Sequence, residues 1–156
     1  MIQKLQHSDI EVAEQIRAVF QVSYAVEAEL LGATDFPPLK RPLEEYVNSR
    51  TVFFGYYEQQ ELAAVTEITH NEEYTHINSL VVDPKHFRKG IATKLIDFTF
   101  NTFDSALFIV ETGAKNKPAI TLYEKHGFAE VKRWVMPGYG ITKVRFELIR
   151  TVRPSR

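Results

Sequence analysis

The sequence predicts an α+β protein with one mixed, mostly antiparallel sheet and helices on both faces of that sheet. Strand-like segments follow one another in the middle of the chain, and later strands alternate with amphipathic helices. The last segment alternates apolar and charged residues, as a strand buried on one face does. The 156 residues, 44% of them hydrophobic, suit a single domain over residues 1–150, followed by a basic tail at residues 151–156.

The first third of the chain predicts one strand and two helices. A short strand is expected at Ile2–Leu5, and Ser8 or Asp9 can cap a helix that continues to Gly32 or breaks before it. Its apolar residues recur at helical spacing, at Ile10, Ala13, Ile16, Val19 and Phe20. The prolines of 35–38 predict a loop, and Pro42 is placed to start a short second helix.

The remaining segments predict an antiparallel meander followed by alternating helices and strands. The meander strands are expected at Thr51–Tyr57, Leu62–Thr69 and His76–Val82. The later elements are a helix at Gly90–Phe103, a strand at Leu107–Glu111, a helix at Pro118–His126, and strands at Phe128–Met136 and Thr142–Leu148. The predicted order is therefore β-α-α-β-β-β-α-β-α-β-β, with one parallel crossover.

Composition excludes several classes of protein. The absence of cysteine rules out disulfides, thiolate zinc sites and a cysteine nucleophile, and it fits a cytoplasmic location. No apolar run approaches the ~18 residues of a membrane span, so no membrane partner is expected. Residues 1–78 carry 5 − 13 = −8 charges and residues 79–156 carry 14 − 7 = +7. The basic half lacks a Lys/Arg run or a stacking motif, so no nucleic-acid partner is expected.

A basic loop between a predicted strand and a predicted helix has the composition of a phosphate site. Arg88 and Lys89 supply cations, and Gly90 and Ala92 allow a ligand to approach the backbone closely. The first turn of a helix also offers unpaired N–H groups and the positive end of the helix dipole. The alternative is an ordinary helix start with surface cations.

The segment from Asn116 to Phe128 contains a second candidate group. Asn116 can cap the next helix or bond a ligand, and Tyr123 lies on one helix face with Ala119. A phenol, with a reference pKa near ~10, can donate a proton to a leaving anion of similar basicity. The alternative is that Tyr123 is a half-buried packing residue.

Together these two segments resemble the GNAT superfamily of acetyl-CoA-dependent N-acetyltransferases. Gly90 and Ala92 match its motif A, although Phe87 stands where the family usually has Gln or Arg. Asn116, Pro118-Ala119 and Leu122–Phe128 are similar to its motif B. The resemblance is specific over roughly residues 75–136, and the predicted element order is also that of the family.

The resemblance implies a site for acetyl-CoA between two diverging strands. The backbone of Leu80 and Val82 would pair with the pantetheine arm, and the Val82 N–H would stabilise the oxyanion. The N–H groups that would hold the pyrophosphate belong to Arg88, Lys89, Gly90, Ile91, Ala92 and Thr93. Asn116 would bond the pantetheine region, and Tyr123 would protonate the departing thiolate.

The implied reaction is direct acetyl transfer to a primary amine in a ternary complex, with no metal. The attacking amine must be neutral, so a proton acceptor is needed. His76 stands six residues before Val82, where some family members keep a Glu, and Glu67 on the neighbouring strand competes with it. The alternative for His76 is an ordinary position on the solvent face of its strand.

The acceptor is expected to be an amine on a small molecule or a protein. In this family the first helices and the last hairpin form the acceptor surface, which here offers Tyr24, Glu27, Glu29, Asp35, Tyr46, Trp134 and Tyr139. An acidic and aromatic lining favours a cationic amine, although compensating surface charge explains the same residues. A non-catalytic module that binds or senses acyl-CoA is the alternative function, and both a monomer and a homodimer fit the sequence.

Overall fold

The computed structural model describes residues 1–151, in which seven strands form one sheet of order β1-β2-β3-β4-β5-β7-β6. The strands are β1 (Ile2–Lys4), β2 (Val52–Glu58), β3 (Glu61–His70), β4 (Thr75–Val82), β5 (Leu107–Gly113), β6 (Ala129–Val135) and β7 (Thr142–Ile149). The helices are α1 (Ile10–Leu31), α2 (Leu43–Val47), α3 (Ile91–Thr102) and α4 (Lys117–Lys125). The predicted fold class and element order are confirmed, and the predicted tail lies outside the described residues from position 152 onward.

The first helix continues to Gly32 without a break, which is one of the two outcomes that the sequence allowed. It begins at the Asp9 cap, whose carboxylate accepts a bond from the Glu11 N–H, and it runs unbroken to Leu31. Gly32 ends it in the left-handed conformation, with φ 64°. The predicted loop contains a 3₁₀ turn at Pro37–Lys40, because proline is tolerated at the start of a helical turn.

Helices cover both faces of the sheet. One face packs against α1 and α2, and the core between them includes the buried residues Phe20, Tyr46, Phe53, Val65 and Val81. The other face packs against α3 and α4, and the core between them includes the buried residues Ile77, Ile96, Phe108, Tyr123 and Phe146. No helix within residues 1–151 combines the length and the apolar character that a bilayer crossing requires.

An irregularity in β4 shapes the centre of the sheet. Glu67 pairs with Ser79 and Ile68 with Ile77, so Asn78 is an extra residue in a β-bulge. A bulge bends its strand. β4 and β5 form the parallel pair, but only Thr75–Ile77 pair with Phe108–Val110. Beyond the bulge the two strands diverge and leave a wedge between them.

Candidate functional site

The wedge between β4 and β5 continues into a cleft of about 860 Å³. Its walls come from α1, the second half of β4, the start of α3, and the segment that joins β5 to α4. Ten of the twelve predicted site residues meet here, although they come from distant parts of the chain. His76, Leu80, Val82, Arg88, Gly90, Ile91, Ala92, Thr93, Asn116 and Tyr123 all line this cleft.

The inner edge of β4 offers free backbone groups to the cleft. The Asp83 N–H donates to the Ala63 carbonyl at 2.8 Å, so Asp83 faces β3 with its backbone. Backbone groups of successive residues point to opposite edges of a strand, and the pairing of β4 is regular from Ser79 to Val82. The N–H and C=O groups of Leu80 and Val82 therefore face the wedge, where an extended ligand can pair with them.

The start of α3 is built to hold an anion. Gly90 has φ 73° and no side chain caps the helix, whose first backbone bond runs from the Lys94 N–H to the Gly90 carbonyl. The N–H groups of the intervening first turn, Ile91 to Thr93, therefore remain available for a ligand. Arg88 is also left-handed, with φ 65°, and it lines the cleft. The uncapped turn and the cation fit a diphosphate.

Lys89 departs from the expected loop. It does not line the cleft, and its ammonium donates to His86 Nδ1 at 3.2 Å. The His86 ring is buried beside the loop, with a relative exposure of 7%. Phe87, which replaces the polar residue usual in the family, lines the cleft and is 45% exposed. Of the two loop cations, Arg88 therefore lines the cleft and Lys89 does not.

Asn116 caps α4 and is already engaged on both ends of its amide. Its Oδ1 accepts a bond from the Ala119 N–H at 3.3 Å. Its Nδ2 donates to Glu27 Oε1 at 3.2 Å and to Thr112 Oγ1 at 3.3 Å. Only a lone pair of Oδ1 remains for a ligand, so the amide can accept a further bond but not donate one.

Tyr123 faces the cleft from α4, and its ring is held by the aromatic core. The ring packs edge-on against Phe128 at a centroid distance of 5.9 Å and contacts Phe146 at 6.2 Å. Burial, followed by the charge of Glu27, raises the pKa of the phenol above its usual value. The hydroxyl is protonated at neutral pH, as that of an ordinary phenol is, and the raised pKa makes it a weaker acid than an ordinary phenol.

His76 has an acidic neighbour that the sequence analysis did not single out. His76 and Glu111 both line the cleft, one from β4 and the other from β5. Burial lowers the pKa of His76, the charge of Glu111 opposes that shift, and the charge of Arg145 adds to it. The available signal was the position of Glu111 at the end of an apolar strand, five residues before Asn116. No cluster of three His, Asp or Glu side chains suited to a metal occurs within residues 1–151.

Glu67 is enclosed by hydrogen-bond donors. Arg41 binds both of its oxygens, at 2.8 and 3.1 Å, and Thr51 Oγ1 donates at 2.7 Å. The Arg41 guanidinium stacks on the Tyr46 ring at 4.2 Å. Glu67 is 3% exposed; it does not line the cleft, but it lines a second cavity beside it. These contacts join β3 to the loop before α2.

A second cavity, of about 630 Å³, adjoins the cleft at Arg41, Asn78 and Ser79. Glu44 and Glu45 line it, and neither side chain has a salt bridge within the described residues. Of the expected acceptor residues, Tyr24 and Glu27 line the cleft and Tyr46 is fully buried. The others line neither cavity: Glu29, Asp35, Trp134 and Tyr139.

Comparisons with known proteins agree with this geometry. The profile of the Acetyltransferase (GNAT) family matches residues 15–128. UPF0157 protein YqkA of Bacillus subtilis is 35% identical over 133 residues, which cover 85% of this chain and 39% of that protein. The N-alpha-acetyltransferase of Saccharolobus solfataricus is 38% identical over 68 residues, 41% of this chain and 40% of that one. The chain thus spans about two fifths of the length of these relatives.

Solved structures share the whole fold. The ribosomal-protein-S18-alanine N-acetyltransferase of Escherichia coli superposes with a TM-score of 0.76 at 18% identity, covering 99% of this chain and 96% of that one. PaiA N-acetyltransferase of Thermoplasma acidophilum, solved in complex with coenzyme A, superposes with a TM-score of 0.68 at 17% identity. The match covers 93% of this chain and 98% of that one. From its family profile, and in agreement with its fold, the chain belongs to the GNAT acetyltransferase family.

Proposed function

We propose that this chain transfers an acetyl group from acetyl-CoA to a primary amine, by direct attack within a ternary complex. One observation carries the proposal: β4 and β5 diverge after Ile77 and Val110, and the free edge of β4 leads to the uncapped start of α3. An extended pantetheine arm would pair with that edge, and the diphosphate would lie on the helix N-terminus. Because one sheet spans Ile2 to Ile149, we propose that residues 1–150 act as one catalytic domain.

The groups that line the cleft suit the chemical step. The amine nitrogen forms a bond to the acetyl carbon as the carbon–sulfur bond breaks. The Val82 N–H, which faces the wedge, is placed to stabilise negative charge that develops on the carbonyl oxygen. Tyr123 donates its proton to the leaving sulfur, and general-acid help of this kind contributes about 10²–10⁴-fold to a rate.

The proton of the amine passes to the pair formed by His76 and Glu111. Both residues line the cleft, and the lowered pKa of His76 keeps its ring neutral at pH 7. The competing candidate, Glu67, is unsuited to the role because Arg41 and Thr51 occupy its carboxylate.

The acceptor enters through the second cavity and carries a positive charge beside its reacting amine. That cavity meets the cleft at the bulge of β4, and Glu44 and Glu45 give it an acidic wall. The positive charge of Arg41 is already matched by Glu67, so the two acidic side chains set the net charge of the lining. A cationic amine, on a small molecule or on a protein, is complementary to this wall.

Two measurements test the proposal. Calorimetry at micromolar protein should show acetyl-CoA binding, and a panel of mono- and diamines should yield coenzyme A release with a preference for diamines. No binding of acetyl-CoA would overturn the whole assignment. Binding without release for any amine, in the panel or at a peptide N-terminus, would instead indicate a non-catalytic acyl-CoA sensor. Size-exclusion chromatography separates the monomer from the homodimer.

A further inference from the structure

Glu27 connects the two walls of the cleft. It lies on α1, yet its Oε1 accepts one bond from Thr112 Oγ1 at 3.1 Å and another from Asn116 Nδ2 at 3.2 Å. Thr112 is on β5 and Asn116 caps α4, so the contact spans 85 and 89 positions of the sequence. The half-buried carboxylate therefore joins the helix on one side of the wedge to the segment on the other.

The hydrogen bonds around Asn116 admit one orientation of its amide. The Ala119 N–H requires an acceptor, which places Oδ1 toward α4 and leaves Nδ2 toward Glu27 and Thr112. Without the Glu27 carboxylate, Nδ2 would lose an acceptor and the Thr112 hydroxyl would lose another. Both groups lie in the segment that leads directly into α4, on which Tyr123 stands seven residues later.

The carboxylate also acts on the phenols of the cleft through its charge. After burial, Glu27 is the next cause of the raised pKa of both Tyr123 and Tyr24. The other charged groups that face these phenols or the cleft are Glu67 near Tyr24, and Arg41, Arg88, Glu111 and Lys143 in the cleft lining, which also includes His76 and His86. Among the causes of the raised Tyr123 pKa, Glu27 is the one charged side chain.

We infer that Glu27 is a positioning residue, which orients the Asn116 amide toward the pantetheine arm and holds Tyr123 in place for proton donation. This inference rests on the proposed acetyl transfer. It goes beyond that transfer because Glu27 is assigned neither to the cofactor nor to the acceptor, but to the junction between α1 and the β5–α4 segment. A misplaced catalytic group typically loses rate rather than substrate affinity alone.

The test is a mutant cycle between Glu27 and Tyr123. Glu27→Met keeps the length of the side chain and removes the acceptor, whereas Glu27→Gln keeps an oxygen at the same place. Glu14→Met, on the exposed face of the same helix, is the matched control. Each variant is assayed for kcat with the best amine of the panel and for the Kd of acetyl-CoA by calorimetry, alone and combined with Tyr123→Phe.

We expect Glu27→Met to lower kcat about tenfold and Glu27→Gln to stay within about threefold of wild type. In the Tyr123→Phe background, Glu27→Met should lower kcat no further, since Glu27 acts through that phenol. Losses that multiply, or a kcat for Glu27→Met within twofold of wild type, would refute the positioning role. Should Glu27→Met fail to fold, Thr112→Val removes one of the two hydrogen bonds to Glu27. It should lower kcat about threefold in the wild-type background and no further in the Tyr123→Phe background.

The binding measurement separates this inference from the proposed function. If wild type binds acetyl-CoA but no amine releases coenzyme A, the transfer proposal fails. The Kd of acetyl-CoA still tests Glu27. Glu27→Met loses the hydrogen bonds to Thr112 and Asn116 and should weaken acetyl-CoA binding about threefold, while Glu14→Met leaves it unchanged. An unchanged Kd in Glu27→Met would then refute the inference by itself.

Discussion

Replacement of Arg41 by Met tests how the loop before α2 is anchored to the sheet. The guanidinium binds both oxygens of Glu67 and stacks on Tyr46, and the two charged side chains are 21% and 4% exposed. Met retains the apolar stem and can still pack on the ring. The change therefore isolates the loss of the positive charge and leaves Glu67 buried without its ion-pair partner.

The expected cost follows from the burial of this pair. Removing one partner of a buried ion pair destabilises a protein by about 3–5 kcal/mol. The lower end applies here, because Thr51 and Ser49 still donate to Glu67 Oε2, at 2.7 and 3.4 Å. For a chain of this size, each kcal/mol shifts the melting temperature by about 2–4 °C, so about 3 kcal/mol predicts a drop of about 6–12 °C.

Thermal unfolding followed by circular dichroism measures this drop. Lys40→Met is the matched control, because Lys40 pairs with Asp35 at the surface, where both side chains are more than half exposed. An exposed ion pair contributes little, so the control should melt close to wild type. Arg41→Met together with Glu67→Leu should recover part of the loss, since no unpaired charge remains. A drop for Arg41→Met no larger than that of the control would refute the anchoring role of the pair.

Three further changes test the site itself. Tyr123→Phe should lower kcat about 10²–10⁴-fold with little change in melting temperature, since the ring packing survives; an unchanged kcat would exclude proton donation. His76→Gln should remove an acidic limb of kcat/KM that lies below about pH 6.5, because burial lowers the pKa of the folded ring. The unfolded ring binds its proton first as pH falls, so wild type should lose stability below that pH and His76→Gln should lose less. A pH–rate profile of His76→Gln identical to that of wild type would exclude His76 as proton acceptor. Gly90→Ala should lower the free energy of unfolding in urea by about 1–2 kcal/mol, because φ at this position is 73°. The added carbon meets no atom within 4 Å, so the cost comes from the backbone conformation alone, and an unchanged unfolding midpoint would contradict it.

Local features of the fold were predictable because their physical causes are local. The polar turns, the capping residues and the helical spacing all lie within a few residues of the elements that they define. The strand–loop–helix around Gly90 was recognised for the same reason, since its glycine, its cations and its helix start are adjacent. The 3₁₀ turn at Pro37–Lys40 within the predicted loop also has a local cause, because proline is tolerated at the start of a helical turn.

The side-chain roles were less predictable, because they depend on contacts across the sheet. Glu67 was a candidate proton acceptor by its position in a strand, and Arg41, 26 residues earlier, binds its carboxylate. Asn116 was expected to cap the next helix or to bond a ligand; it caps α4, and Glu27, 89 residues earlier, occupies its donor. Nothing in the spacing of these residues encodes their proximity.

By itself, the sequence determined the fold class, the order of the elements and the basic strand–loop–helix segment around Gly90. Each of these follows from periodicity or from neighbours a few positions apart. Only the tertiary structure decided where β4 leaves β5, that Glu111 lies beside His76, and which carboxylates are bound by other side chains. Those outcomes depend on the bulge at Asn78 and on packing between distant segments, whose geometry is set when the whole sheet assembles.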